Sequence, residues 1–188
     1  MRVAIVGAGS IGAVIGARLA SAGHEVVLVA RGAHLEAIRR DGVKLVDHVG
    51  SAGGVYRLAA SADPADFKAQ DLVVIGLKAH AIAAMLPRIA PLVGSDTVVL
   101  PAINGLPWWY FHAEGSALTG MTLRSLDPAG SMFTALDPRH ILGCVVHVAA
   151  EVRAPGEVHH TSGRRLIIGE PDRSMSVRLA RVADALDA

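Results

Sequence analysis

Residues 3–12 read Val3-Ala4-Ile5-Val6-Gly7-Ala8-Gly9-Ser10-Ile11-Gly12, and their reading decides the fold. Val3 to Val6 is a short apolar run with no polar residue to face water. Such a run predicts a strand buried on both sides, the habit of a parallel sheet. From Ser10 to Ala22 the apolar residues Ile11, Val14, Ile15 and Leu19 recur at helical spacing, and Gly23 ends the segment. The pattern G-x-G-x-x-G is weak alone. Between a buried strand and a helix it predicts a dinucleotide-binding turn. Gly7 permits the tight turn, Gly9 admits a pyrophosphate to the backbone, and Gly12 lets the helix pack close to the sheet. Free N–H groups and the helix dipole then face the phosphates. A glycine-rich turn without a ligand is the plainer alternative.

The rest of the chain continues the alternation. Glu25 to Val29 predicts a second strand, and His34 to Arg40 a helix ending near Gly42. Val43 to Val46 and Val55 to Leu58 predict short strands around the glycine-rich stretch Gly50 to Gly54. Asp71 to Ile75 predicts a buried strand, Ala79 to Leu86 a helix disturbed by Pro87 and stopped by Pro91, and Thr97 to Leu100 another strand. Strand and helix in turn at this spacing argue an α/β fold, a doubly wound Rossmann-type parallel sheet. Later the texture changes. Ile141 to Val152, Glu157 to Thr161 and Leu166 to Gly169 read as extended segments, with Pro155-Gly156 and Ser162-Gly163 as turns between them. This late antiparallel meander is expected at one edge of the sheet. Ser174 to Ala188 reads as a helix with Met175, Leu179, Val182 and Leu186 on one face.

Composition narrows the function classes. The chain has 188 residues, 52% hydrophobic and 19% charged, enough for one core and too apolar for disorder. With 18 basic and 17 acidic residues the net charge is +1, so no excess points to nucleic acid or an anionic membrane. Mean hydropathy is +0.42. Arg18, His24, Arg31 and Lys78 still interrupt every apolar stretch before the roughly 18 residues a membrane span needs. Cys144 is the single cysteine, so neither an internal disulfide nor a multi-cysteine zinc site can form, and its apolar setting predicts a buried, inert thiol. Arg2 is the only charge before the first strand, and no charged n-region, apolar h-region and cleavage site can be read ahead of it. A cytoplasmic protein is the expectation.

Three further positions lie just past predicted strand ends, where ligands of such sheets bind. Val29-Ala30-Arg31 lacks the carboxylate that commonly holds the ribose hydroxyls of NAD. It offers a guanidinium suited to the 2′-phosphate of NADP, with His34 and Arg39 able to assist. Lys78 starts a helix, where a cation opposes the dipole unless an anion is near. It is otherwise a surface lysine. Asn104-Gly105 is first a turn dipeptide. The convergence of Gly7, Arg31, Lys78 and Asn104 on one sheet edge argues more than any of them singly. His159-His160 would point to opposite faces of a strand and so would not share a metal; none is expected. No G-x-S-x-G elbow supports nucleophilic serine chemistry.

Gly7 to Gly12, Arg31, Gly76-Leu77-Lys78, Asn104-Gly105, Pro155-Gly156-Glu157-Val158-His159 and Ile167-Ile168-Gly169-Glu170 together resemble the ketopantoate reductase (2-dehydropantoate 2-reductase) family. The resemblance covers nearly the whole chain but only the N-terminal part of the family's usual length. It implies an NADP-binding Rossmann domain over residues 1–188 and NADPH-dependent reduction of a 2-keto acid, 2-dehydropantoate to pantoate, on the route to pantothenate and coenzyme A. It implies that Gly7, Ala8, Gly9, Ser10, Ile11 and Gly12 hold the pyrophosphate and Arg31 the 2′-phosphate. Lys78 and Asn104 would line the nicotinamide end, Asn104 would also reach substrate, and Ala149 would touch the cofactor through its backbone. The family's proton-donor lysine lies in a helical C-terminal catalytic domain absent from this chain, so no catalytic residue is expected here and the isolated chain should be inactive. A small-molecule 2-keto acid is the expected partner, with a homodimer as the assembly to test. A related hydroxy acid dehydrogenase and a non-catalytic NADPH-binding sensor are the alternatives. The cluster Leu106-Pro107-Trp108-Trp109-Tyr110-Phe111 departs from many members. It reads either as a helix start packing on the missing domain or as a bulky wall near the reacting centre.

Overall fold

The computed structural model describes residues 1–50, 53–112 and 117–187. In chain order its elements begin β1 (Arg2–Val6), α1 (Ser10–Ser21), β2 (Glu25–Val29), α2 (Gly32–Asp41), β3 (Val43–Asp47), β4 (Gly54–Tyr56) and β5 (Ala59–Ser61). They continue with β6 (Gln70–Ile75), α3 (Ala79–Met85), β7 (Val93–Pro101), α4 (Ser131–Ala135), β8 (Gly143–Ala154), β9 (Glu157–Gly169) and α5 (Val177–Asp187). One sheet has five parallel strands in the order β5-β2-β1-β6-β7. The chain winds outward through β2 and β5, then returns to the other side of β1 for β6 and β7. That reversal leaves a crevice between β1 and β6.

The apolar runs are continuous because both faces are covered. Val3 and Ile5 enter one core with Leu28, Leu72 and Leu100, while Ala4 and Val6 enter the other with Val73, Ile75 and Trp108. Register aligns the strand ends: Val29 pairs with Val6, Val6 with Ile75 and Ile75 with Pro101. Residues just beyond these four positions therefore share one edge.

The chain leading into the late antiparallel pair β8–β9 meets the edge strand β7 at one isolated bridge among the described residues, Val99 with Ile141, next to an N–H bond from Leu142 to the Val99 carbonyl at 3.0 Å. Beyond that bridge it belongs to a second, mixed sheet in the order β4-β3-β9-β8. Helix α1 shares a core with both sheets: Ala13, Val14 and Ala17 are buried with Ile5 and Leu28 of the first and with Leu45, Val146 and Val158 of the second. At Gly16 a Cβ would lie 3.1 Å from Ile5 and 3.2 Å from Leu28, so the small residue sets how closely helix and sheet approach.

Several expectations change. Glu157 to Thr161 and Leu166 to Gly169 are one strand. Ser162-Gly163 is a bulge within it, not a turn: Gly163 has φ +70° and a Cβ there would strike the His147 carbonyl. Glycine with positive φ serves a bulge as readily as a turn, and the local sequence does not separate them. The segment Val55 to Leu58 splits, with β4 ending at Tyr56 and β5 starting at Ala59. The α-helix from Ala79 ends at Met85, and the chain tightens into 3-10 turns over Leu86–Leu92, which accommodate Pro87 and Pro91. Met175 precedes α5 and is 90% exposed; Leu179 and Val182 carry the buried face. Residues 51 and 52 of the glycine-rich stretch and Ala188 lie outside the described residues. Trp108 is 2% exposed in the core of this domain, packed with Ile82, Met132 and Leu136 of the same cluster. It therefore neither waits for another domain nor walls the crevice. Cys144 is buried, and burial pushes its thiol up to about 12.

Two buried charge pairs fasten the second sheet. Asp47 on β3 has a fully buried side chain that pairs with Arg18 of α1 and lies 3.0 Å from His160 Nδ1 on β9. Glu170, beside β9, accepts from Arg178 Nε of α5 at 2.7 Å and from Arg178 Nη2 at 2.5 Å. The Arg178 guanidinium holds the Glu170 carboxyl below the usual glutamate range. A lowered folded pKa gives stability that is complete above the unfolded value and fades as pH falls through the folded one. Glu170→Gln should therefore cost about 2 kcal/mol at neutral pH. Its deficit in thermal midpoint should shrink once pH drops below 4.5, the ordinary glutamate value. A deficit that grows on acidification would count against this pairing.

Candidate functional site

The turn after β1 is shaped by backbone contacts that only glycine allows. Gly7 and Ala8 N–H groups both donate to the Val29 carbonyl, at 3.0 and 3.1 Å, drawing the turn toward β2. Gly7 has φ +93°, and a Cβ there would lie 2.5 Å from Leu77. A Cβ on Gly12 would drive into the Gly7 carbonyl oxygen and lie 2.9 Å from Ile5. Gly76, at the end of β6, completes the wedge: its Cβ would lie 2.8 Å from the Gly7 carbonyl and 3.0 Å from the Gly12 Cα. Gly9 differs, with no atom within 4 Å of where its Cβ would stand. The space beside it is open for a ligand. Gly9, Ser10, Ile11 and Gly12 leave their N–H groups without partners among the described residues, and Ala13 N–H is the first to bond, to the Gly9 carbonyl at 2.8 Å. This is an unspent donor cluster at the start of a helix of 12 residues.

These atoms open into a crevice of about 1130 Å³. All four expected strand-end positions line it: the glycine turn from Gly7 to Ile11, Arg31, Lys78 and Asn104, while Gly12 is buried behind the turn and does not. Arg31 and Lys78 stand immediately before α2 and α3, exposed and without an ion pair among the described residues. His80, Arg88 and Arg153 also line it, and no carboxylate does among the described residues. Arg88 lies 3.8 Å from Asp63, and Arg153 pairs with Glu151 at 2.5 Å. A cleft of this charge suits a polyanion.

Other expected residues have different employment. Asn104 clamps the chain after β7 onto β8, its Nδ2 donating to the Val146 carbonyl at 2.9 Å and its Oδ1 accepting from the Val146 N–H at 2.8 Å. One amide hydrogen and one lone pair remain for a ligand. Arg39 is outside the crevice, donating to the Ala60 carbonyl at 3.0 Å. His34 lines it, but both ring nitrogens hold backbone groups, the Ala8 carbonyl at 2.8 Å and the Gly156 N–H at 3.0 Å. Ala149 is not among the lining residues; it lies within β8, its carbonyl accepting from Thr161 at 3.1 Å, while Val146, Val148 and Val152 line the wall. His159 turns to Glu157 at 2.8 Å and His160 to Asp47, and no metal-holding cluster occurs among the described residues. Sequence reasoning gave Gly76 no role beyond its place in Gly76-Leu77-Lys78 and missed Arg88 and Arg153. Gly76 was visible as a glycine beside Lys78, and Arg153 as the cation before Pro155-Gly156.

Fold and crevice define a Rossmann-type α/β domain with a glycine-rich turn at its topological switch point. The family model for ketopantoate reductase PanE/ApbA matches residues 3–173. The chain belongs to that family of oxidoreductases. A 2-dehydropantoate 2-reductase of Mesorhizobium japonicum is 42% identical over 187 residues, 99% of this chain and 57% of its own length. A 2-dehydropantoate 2-reductase of Halobacterium salinarum is 30% identical, over 98% of this chain and 54% of its own. Among solved structures, a Ralstonia solanacearum chain assigned to the ketopantoate reductases has a TM-score of 0.92 at 42% identity, over 99% of this chain and 57% of that one. D-mandelate dehydrogenase, solved with NADH and anilino(oxo)acetate, shares the fold at 21% identity and a TM-score of 0.74. The chain thus spans little more than half the length of the curated relatives it matches. No helix among the described residues is long and apolar enough to cross a membrane.

Proposed function

We propose that residues 1–188 form the NADP-binding domain of an NADPH-dependent 2-keto acid reductase acting on 2-dehydropantoate. The observation that carries this is the meeting of four strand ends on a crevice with no carboxylate in its lining, beside four N–H groups without partners, both among the described residues. The fit is physical. Open space at Gly9 admits a pyrophosphate, the N–H groups from Gly9 to Gly12 bind it, and Arg31 takes the 2′-phosphate where no acid would repel it. Bound there, the nicotinamide supplies a hydride for a keto carbon. Lys78 adds positive charge toward that end, and Asn104, braced on Val146, has one donor left to orient substrate. Ala149 is taken to touch the cofactor through its backbone. The proton for the keto oxygen comes from a lysine outside these residues, so the chain alone binds NADPH without turning over. The reading carries with it a cytoplasmic setting, no role for nucleic acid or membrane, and a homodimer as the assembly to test.

Calorimetric titration of the chain with NADPH and NADH tests it. NADPH is expected to bind the more tightly, and Arg31→Ala to weaken it by about 10- to 100-fold, the scale of a lost charge-assisted contact, with NADH nearly unchanged. Equal weakening of both cofactors would remove Arg31 from the 2′-phosphate, and no binding of either would remove the reading.

A further inference from the structure

Among the described residues, His34 is the one side chain that ties the glycine turn to the second sheet through backbone atoms on both sides. The Gly156 N–H donates to its Nδ1 at 3.0 Å, so Nδ1 is the acceptor and the ring proton sits on Nε2, which donates to the Ala8 carbonyl at 2.8 Å. Gly156 is fixed in turn: it has φ +79° in the β8–β9 turn, and a Cβ there would lie 3.0 Å from Ala37 of α2. The ring is thus oriented from behind and aims one donor at the turn. The Ala8 carbonyl and the Gly9 N–H belong to the same planar trans peptide and point in opposite directions. Holding the carbonyl sets the direction of the N–H, and keeps a carbonyl dipole from swinging into an anion site. Without that hold the peptide could swing about the Ala8 ψ and Gly9 φ bonds, and Gly9 brings glycine's wide torsional range to one of them.

We propose that His34 is a positioning residue for the crevice: it locks the Ala8–Gly9 peptide so that the Gly9 N–H stays available to phosphate. This rests on the reading of the crevice as an NADPH site. His34 touches no ligand in this account; it acts through Ala8.

Two variants separate positioning from simple stability. His34→Gln can still donate from the Nε2 position to Ala8 but loses the acceptor for Gly156. His34→Asn keeps that acceptor and loses the donor. Each gives up one backbone hydrogen bond, so their thermal midpoints should be similar. Their NADPH affinities should differ: His34→Gln within about threefold of the unaltered chain, His34→Asn weaker by about tenfold, the scale of one lost hydrogen bond. NADH should weaken by the same factor, because the pyrophosphate is common to both. Equal affinities for the two variants would overturn the proposal while leaving the NADPH site intact. Absence of NADPH binding by the unaltered chain would instead overturn the site, and the proposal with it.

Discussion

Gly12→Ala is expected to abolish NADPH binding and to lower the thermal midpoint of the chain. The added methyl would meet the Gly7 carbonyl oxygen inside van der Waals contact and lie 2.9 Å from Ile5 Cγ2 and 3.1 Å from the Gly7 carbonyl carbon. Two of these atoms are backbone, and Gly7 is itself held by its N–H bond to Val29 and wedged against Leu77. Nothing there can give way cheaply, so the helix start must move. Overpacking typically costs about 1–3 kcal/mol. A backbone obstacle puts the cost at the upper end, or roughly 6–12 °C for a domain of this size. Moving the start of α1 also moves the N–H cluster that would meet the pyrophosphate. Gly9→Ala is the informative contrast, since its Cβ meets nothing within 4 Å. It should leave the midpoint unchanged and still weaken NADPH, because the methyl occupies the approach path. Thermal unfolding and titration of both variants decide the matter. A Gly12→Ala chain that melts normally and binds normally would refute the packing argument.

Asp47→Ala should be the most destabilising single change in the second sheet. The carboxylate is completely buried, pairs with Arg18 from α1, accepts from the Val49 N–H at 2.8 Å and faces His160 at 3.0 Å. It thereby connects α1, β3 and β9. Truncation leaves a guanidinium and an imidazole behind without their anion. Removing one member of such a pair commonly costs about 3–5 kcal/mol, a fall of roughly 6–20 °C here. NADPH affinity measured well below the midpoint should survive, because neither Asp47 nor Arg18 lines the crevice. A midpoint within a degree or two of the unaltered chain would show that solvent readily replaces the carboxylate.

Four strands of the five-stranded sheet, β1, β2, β6 and β7, were legible because they are apolar runs buried on both faces. The strand-end rule then located Gly7, Arg31, Lys78 and Asn104 on one crevice, although those residues are far apart in the chain. What stayed hidden depended on partners distant in sequence. Nothing local to Val43–Asp47 says that it pairs with β9 in a separate sheet and not with β2. Its place beside β2 goes to the brief Ala59–Ser61, too short to carry a periodic signal. Asn104 was legible as a site residue, but not its double bond to the Val146 backbone, since any backbone offers the same groups. Within the aromatic cluster Trp108 misled for a related reason: it is buried by α3 and α4, and burial by one's own domain looks no different in sequence from burial by a missing one.

Cys144 offers a practical return. Its thiol, pushed up to about 12 by burial, would hold on the order of one thiolate in ten thousand at about pH 8. The buried Cys144 therefore competes poorly as a thiol for maleimide dyes. A cysteine introduced at Val152, 45% exposed on the crevice wall, would be the preferred labelling point. Its fluorescence would report occupancy of the cleft directly, in real time and without a turnover assay.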